Sequence, residues 1–255
     1  PKANPRAVAD LVSLLILVVA TAEQAEAALF GPEGGAALLG EGGVVVLHST
    51  VPPPFTEALA ARLDEMGLLL LDAPISGGRV AAEAGTLTVM ASGGEAAFAA
   101  AAPALDAMAK TVHRLGDRPG IGSTVKMINQ HLAGVHIAAA CEAMALGTAA
   151  GADPDKLYEV ITGSAGNSWM FTNRVPHILN RDFTPLSAVE IFVKDLGIVL
   201  DTAKAKRFPL PLAAIAHQQF IAAAAAGFGR EDDSAVVKVY EKLTGTEVRG
   251  RGEKD

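Results

Sequence analysis

Residues 68–78 read Leu-Leu-Leu-Leu-Asp-Ala-Pro-Ile-Ser-Gly-Gly, and this stretch decides the fold. A short, fully apolar run suits a strand buried on both faces of a parallel sheet. Pro74, Gly77 and Gly78 then punctuate it as a turn. In open parallel sheets, ligands bind outside the carboxyl ends of the strands. Ser76 offers a hydroxyl at such a position. Gly77 and Gly78 let backbone approach a ligand and present N–H groups as a nest for an anion, a carboxylate being a natural guest. On spacing alone, an ordinary strand-to-helix turn is the better account of the same residues.

The same alternation extends on both sides. Strands are predicted over Leu11–Val19, Val44–His48, Leu68–Leu71, Leu87–Ala91 and Val112–Leu115. Helices are predicted over Ala22–Leu29, from the Pro52–Pro54 turn to Met66, and over Glu95–Lys110. Strands alternating with helices imply βαβ units and a largely parallel sheet covered on both faces. The pattern changes after residue 119. From Gly122 to Ala150 there is no proline and apolar residues fall on nearly every side, which predicts one helix roughly 40 Å long. A helix apolar all round has to be buried, between domains or between subunits. Asp153-Pro154 restarts a helix with an N-cap and a proline at the first helical position. Helical periodicity continues over 187–206, 212–226 and 234–243. The fold class is α/β followed by all-α: a sheet domain over 1–119, a helical domain over 120–244 joined by the long helix, and a polar, Gly-containing tail over 245–255 expected to fray.

Composition narrows the function classes. Half of the 255 residues are apolar and 19% are charged, enough for a substantial core. A net charge of −7, with no clustered Lys/Arg stretch, argues against nucleic acid and against a membrane surface. The apolar run at Leu11–Ala20 is about half of the ~20 residues a spanning helix needs. The single cysteine, Cys141, excludes an internal disulfide and sits in an Ala-rich run as a core filler. No histidine spacing suits a metal: His131 and His136 are five apart and do not share a helix face.

Chemistry concentrates at a few places. In Gly120-Ile121-Gly122-Ser123-Thr124-Val125-Lys126-Met127-Ile128-Asn129, the glycines open the long helix and Lys126 and Asn129 share one face. Apolar surroundings favour the neutral amine, which can take a proton from a hydroxyl. Asn129 can orient that hydroxyl. The alternative for Lys126 is a snorkelling side chain near a helix end. Thr50, in Ser49-Thr50-Val51-Pro52-Pro53 at a strand end, meets a cofactor or caps the next turn. Lys194-Asp195, inside a helix, reads on spacing alone as an exposed pair on a solvated face.

The ordered set is more specific than its parts. Ser-Thr-x-x-Pro at 49–53, Asp-Ala-Pro-Ile-Ser-Gly-Gly at 72–78, Ala-Gly-Thr-Leu at 84–87, Gly-x-Gly-x-x-x-Lys-x-x-Asn at 120–129 and Lys-Asp-Leu at 194–196 together resemble the β-hydroxyacid dehydrogenases, the 3-hydroxyisobutyrate dehydrogenase-like family. The resemblance runs from Val12 to Leu243. It implies a Rossmann-type, NAD-binding domain followed by a helical substrate and dimerisation domain, with NADP as the alternative cofactor. It places the catalytic lysine on Lys126, the substrate-carboxylate loop on Ser76, Gly77 and Gly78, and the substrate-orienting asparagine on Asn129. It places cofactor contacts on Thr50, on Lys194, and on Gln24 where many members carry asparagine. The segments at 130–136, 165–171 and 187–195 are most similar to members acting on a short polyol acid at its 2-hydroxyl; 165–171 helps shape the substrate pocket, with Trp169 either there or in the core. The family's G-x-G-x-x-G turn has no match. The resemblance therefore implies an incomplete Rossmann-type sheet whose first βα units, roughly 50 residues on the scale of a βαβ unit, are missing. It further implies a small-molecule hydroxyacid substrate, a homo-oligomer and a cytoplasmic setting. The competing possibilities are an imine reductase on the same scaffold, in which the lysine is typically lacking, and a non-enzymatic remnant or oligomerisation module.

Overall fold

A computed structural model describes residues 4–251. The chain divides into two compact units, Pro1–Ile128 and Asn129–Asp255. The division falls inside the long helix, some residues beyond the 119/120 boundary expected from composition.

The first unit contains α1 (Arg6–Ala9), β1 (Leu14–Leu17), α2 (Ala22–Phe30), β2 (Val44–Leu47), α3 (Pro53–Asp64), β3 (Leu69–Asp72), β4 (Ile75–Ser76), α4 (Gly78–Glu83), β5 (Leu87–Ser92), α5 (Glu95–Met108) and β6 (Ala109–Gly116). Strands β1, β2 and β3 are parallel neighbours, with Leu17 beside Leu47 and Leu47 beside Asp72. The sheet is mixed beyond that point. After β3 the chain runs on through Ala73 and Pro74 into β4, antiparallel to β5, while β6 returns parallel to β5. The short β4 and α4 have no counterpart in the sequence-based expectation, because two residues of strand leave no periodicity to read.

Side chains alternate across the strands. Leu17, Val45, Leu47 and Leu70 face Leu29 of α2 and Leu59 and Leu63 of α3. Val44, Val46, Leu71, Val89 and Ala91 face Ala97, Phe98, Ala101 and Leu105 of α5. Each fully buried Val, Leu or Phe side chain contributes about 1.5–3 kcal/mol, which is why near-continuous apolar runs form the central strands. Local capping sets the helix ends. Thr21 accepts from the Gln24 backbone N–H, and the Gln24 side chain accepts in return from the Thr21 and Ala20 N–H groups, a complete capping box for α2.

Helix α6 (Ile121–Ala149) carries the chain across the division. The second unit holds the rest of it together with α7 (Pro154–Thr162), α8 (Trp169–Asn180), α9 (Val189–Ala205), α10 (Pro211–Ala223) and α11 (Val237–Thr244). Asp153 caps α7 as expected, accepting from the Asp155 and Lys156 N–H groups. The core gathers Ile137, Cys141 and Met144 of α6, Phe171, Val175 and Ile178 of α8, Phe192 and Leu196 of α9, and Phe220 of α10. Where α6 and α9 cross, Gly134 lies so close to Leu196 that a Cβ would stand 2.9 Å from its side chain.

Within the single chain, Ile128, Leu132 and Leu146 of the long helix are exposed at 48, 51 and 69%, an apolar surface open to the contact between subunits that was one of the two settings expected for this helix. The helix is long and apolar enough to cross a membrane, but its remaining face fills the helical core. One expectation needs correction: the tail does not fray as far as residue 251. Val248 is fully buried, Gly250 N–H donates to the Leu179 carbonyl, and Arg251 pairs with Asp153. A polar composition concealed one apolar anchor and a set of backbone hydrogen bonds.

Candidate active site

The carboxyl ends of β1, β2 and β3 lie side by side, and their following loops converge. The Val19 N–H donates to Ser49 Oγ, linking the loop after β1 to the loop after β2. His48, 3% exposed, donates from Nδ1 to the Ala73 carbonyl at 2.5 Å, linking the loop after β2 to the end of β3. Burial lowers the His48 pKa, against an opposing pull from the Ala73 hydrogen bond. The ring is thus neutral with its proton on Nδ1, and Nε2 is buried without a hydrogen-bond partner among the described residues.

The first turn of α6 is fastened at this same edge by one carboxylate. Asp72, fully buried at the end of β3, accepts at Oδ2 from the N–H groups of Gly120 and Ser123, both at 2.8 Å, and at Oδ1 from Ser123 Oγ at 2.7 Å. Ser92 Oγ donates to Asp72 Oδ2 and accepts from the Gly122 N–H. Ser123 Oγ also lies 2.9 Å from Thr56 Oγ1. The first N–H groups of a helix have no partner within it and carry partial positive charge. Here two strand-end side chains supply the acceptors. Burial pushes the Asp72 carboxyl up, and its hydrogen bonds from Ser123, Gly120 and Ser92 pull it back. The approach is so close that a Cβ on Gly122 would stand 2.4 Å from the Met90 carbonyl oxygen. Gly120, at φ +105°, makes the turn into the helix.

Lys126 follows less than one turn after Ser123 and is 7% exposed. A snorkelling lysine would show its ammonium to water, so the structure favours the buried alternative. Ser76 ends β4, pairing with Thr88 of β5, and Gly77 and Gly78 adopt φ of +122° and +63°. A Cβ on Gly77 would stand 2.5 Å from that of Ala81. Both glycines therefore stand in backbone conformations that favour glycine, as an ordinary turn and an anion nest alike would use.

The remaining predicted residues lie as follows. Thr50 follows Ser49 in the loop after β2, and α3 begins without a side-chain cap. The carboxamide oxygen of Gln24 is committed to the capping box, so a cofactor contact would fall to its Nε2. In the second unit, Asn129 Nδ2 donates to Gln130 Oε1 at 3.0 Å, and Gln130 Nε2 donates to Asp195 Oδ2 at 2.6 Å. Lys194 Nζ lies 2.7 Å from Asp195 Oδ1. Asp195 is 2% exposed, so the pair is not the solvated charge pair that spacing suggested. Trp169 is 66% exposed at the first position of α8, which removes it from the core. Sequence reasoning assigned no role to Asp72, Ser92, Ser123, Gln130 or Asp195. An aspartate closing an all-leucine strand was the one visible signal, and it did not reveal its partners.

These residues fit part of a nicotinamide dinucleotide. The clustered strand ends, the hydroxyl-bearing loop after β2 and the unpartnered His48 Nε2 make a polar edge over which such a cofactor can lie.

Comparison with known proteins agrees. Residues 1–116 match the NAD binding domain of 6-phosphogluconate dehydrogenase, and residues 120–240 match the NAD-binding family of NADP-dependent 3-hydroxyisobutyrate dehydrogenase. The chain is 56% identical over 253 residues to an L-threonate dehydrogenase of Cupriavidus necator, covering 99% of this chain and 84% of that protein. It is 51% identical over 241 residues to an L-threonate dehydrogenase of Escherichia coli K12, covering 94% and 80%. A crystal structure of a 3-hydroxyisobutyrate dehydrogenase from Salmonella typhimurium superposes with a TM-score of 0.88 at 53% identity, covering 92% of this chain and 82% of that one. The chain belongs to the 3-hydroxyisobutyrate dehydrogenase-like family of NAD(P)-binding hydroxyacid dehydrogenases.

Proposed function

We propose that this chain oxidises L-threonate at its 2-hydroxyl to 2-dehydro-L-erythronate, with NAD as the hydride acceptor and Lys126 as the proton acceptor. The observation that carries the chemistry is a lysine 7% exposed in a helix turn whose start is fixed to the sheet by Asp72. The carboxylate of the substrate docks on the Ser76–Gly78 loop, where two glycines at positive φ free the backbone to turn its N–H groups toward an anion. Lys126 takes the proton of the 2-hydroxyl as the C2–O bond becomes a carbonyl. The nicotinamide, when bound, accepts the hydride leaving C2. Asn129, three residues on along α6, orients the hydroxyl. Thr50, Lys194 and Gln24 are assigned to the cofactor.

The substrate assignment is supported by the L-threonate dehydrogenases at 56% and 51% identity. A human mitochondrial 3-hydroxyisobutyrate dehydrogenase is only 31% identical. The Salmonella structure bears that other name at 53% identity, so substrate kinetics must decide between the two. Residues 1–119 serve the dinucleotide, and 120–244 serve the substrate and self-association. The exposed apolar residues along α6 support a homo-oligomer, a net charge of −7 with no clustered Lys/Arg stretch argues against a nucleic-acid or membrane-surface partner, and the single cysteine fits a reducing, cytoplasmic setting.

The test is steady-state kinetics with L-threonate, 3-hydroxyisobutyrate and glycerate, comparing wild type with Lys126→Met. L-Threonate is expected to give the highest kcat/KM, and the variant to lose about 10²–10⁴-fold in kcat while keeping its dinucleotide affinity. A higher kcat/KM for 3-hydroxyisobutyrate would refute the substrate. Near-normal turnover by the methionine variant would refute the role of Lys126.

A further inference from the structure

We infer that Gln130 and Asp195 are positioning residues that decide which way the Asn129 carboxamide faces, so that its oxygen is what the substrate hydroxyl meets. The inference rests on the assignment of Asn129 to that hydroxyl.

A primary amide is nearly symmetric in shape but opposite in hydrogen bonding at its two ends. Nothing in the side chain itself prevents Asn129 from turning over and exchanging oxygen for nitrogen. Its orientation has to be imposed by a neighbour whose own polarity is fixed. Gln130 cannot do this alone, being an amide too. Asp195 can, because an ionised carboxylate only accepts.

The polarity then propagates along the contacts. Asp195 Oδ2 requires a donor from Gln130, which turns Nε2 toward it at 2.6 Å. That leaves Gln130 Oε1 to face Asn129, which must present Nδ2, at 3.0 Å. Asn129 Oδ1 is the atom left as an acceptor for an alcohol proton. Lys194, 2.7 Å from Asp195 Oδ1, stabilises the charge on which the sequence depends. Both Asp195 and Gln130 are buried, at 2 and 8% exposure, so water competes little for these contacts. The close crossing at Gly134 and Leu196 brings the two helices near enough for a carboxylate on α9 to reach a glutamine on α6. An acceptor oxygen at this point selects substrates that present a hydroxyl there.

The experiment is a set of exchanges read as kcat and KM for L-threonate, with folding checked by thermal unfolding. Asn129→Ala should lose about 100-fold in kcat/KM, and Gln130→Met about 10-fold. The double variant Asn129→Ala/Gln130→Met should be no worse than Asn129→Ala, because Gln130 acts only through Asn129. Asp195→Asn and Gln130→Glu should each be impaired. The combination Gln130→Glu/Asp195→Asn moves the carboxylate one link along while still demanding a donor from Asn129, and it should recover most of the activity lost by Asp195→Asn. That exchange conserves side-chain size, so it remains informative should the methionine variant fold poorly. Additive losses in the Asn129/Gln130 cycle, or no recovery in the exchanged pair, would overturn the inference while leaving Asn129 in its role. Wild-type kinetics for Asn129→Ala would instead overturn the assignment on which it rests.

Discussion

Replacing Asp72 with alanine should loosen the start of α6 and thereby impair turnover. The substitution removes the acceptor of the Gly120 and Ser123 N–H groups. A buried donor left unsatisfied costs about 1–3 kcal/mol, so the pair amounts to about 2–6 kcal/mol. The two hydroxyls add little. Ser123 Oγ keeps Thr56, and Ser92 Oγ, which loses the acceptor of its proton, still accepts from the Gly122 N–H and can rotate about its Cβ–Oγ bond. Removing a buried carboxylate, whose burial already pushes its pKa up, offsets part of the loss and leaves about 2–4 kcal/mol. With a urea m-value of about 2 kcal/mol/M, the unfolding midpoint should fall by about 1–2 M. A helix start displaced by about 1 Å costs on the order of 10²-fold in rate, and Lys126 lies on the turn that moves. Asp72→Asn should sit between the two proteins, because its oxygen can still accept the two N–H groups while its amide donates to Ser123 Oγ. The assay is urea unfolding by circular dichroism alongside kcat for L-threonate. An alanine variant with a midpoint within about 0.2 M of wild type and unchanged kcat would show that Asp72 does not hold the helix in place.

Two further outcomes follow from buried titratable groups. The folded-state pKa of His48 lies below its ordinary value of 6.5, so between that lowered value and about 6.5 the unfolded chain binds more protons. Stability should rise with pH through this window and level off above it, and His48→Gln should flatten that slope in urea midpoints measured from about pH 5 to 7.5; an unchanged slope would mean that His48 is not buried as a neutral ring. Cys141 is fully buried, and burial raises its thiol pKa far above the range of a reactive thiolate. The native protein should resist alkylation and release one titratable thiol only in denaturant, whereas rapid labelling of the folded protein would contradict its place in the core.

The sequence by itself determined the elements that depend on near neighbours. Apolar runs such as Val44–Leu47 and Leu69–Leu71 are strands because only burial on both faces accommodates them. Asp153-Pro154 starts a helix because the cap and the ring act on adjacent backbone. Lys126, Asn129 and the Ser76–Gly78 turn were visible for the same reason, as side chains at fixed offsets on one helix or one loop. The tertiary structure alone decided what each of these residues is held by. Asp72 reaches Ser123 across 51 residues, and Gln130 reaches Asp195 across 65, and no local periodicity encodes a hydrogen bond between residues so far apart in sequence. Burial likewise changed the reading of Lys194-Asp195, a solvated pair by spacing and, in the fold, a half-buried lysine on a buried carboxylate. The mixed half of the sheet was decided in the same way, since the direction in which β5 runs depends on a two-residue strand and a turn with two glycines at positive φ rather than on the pattern of β5 itself.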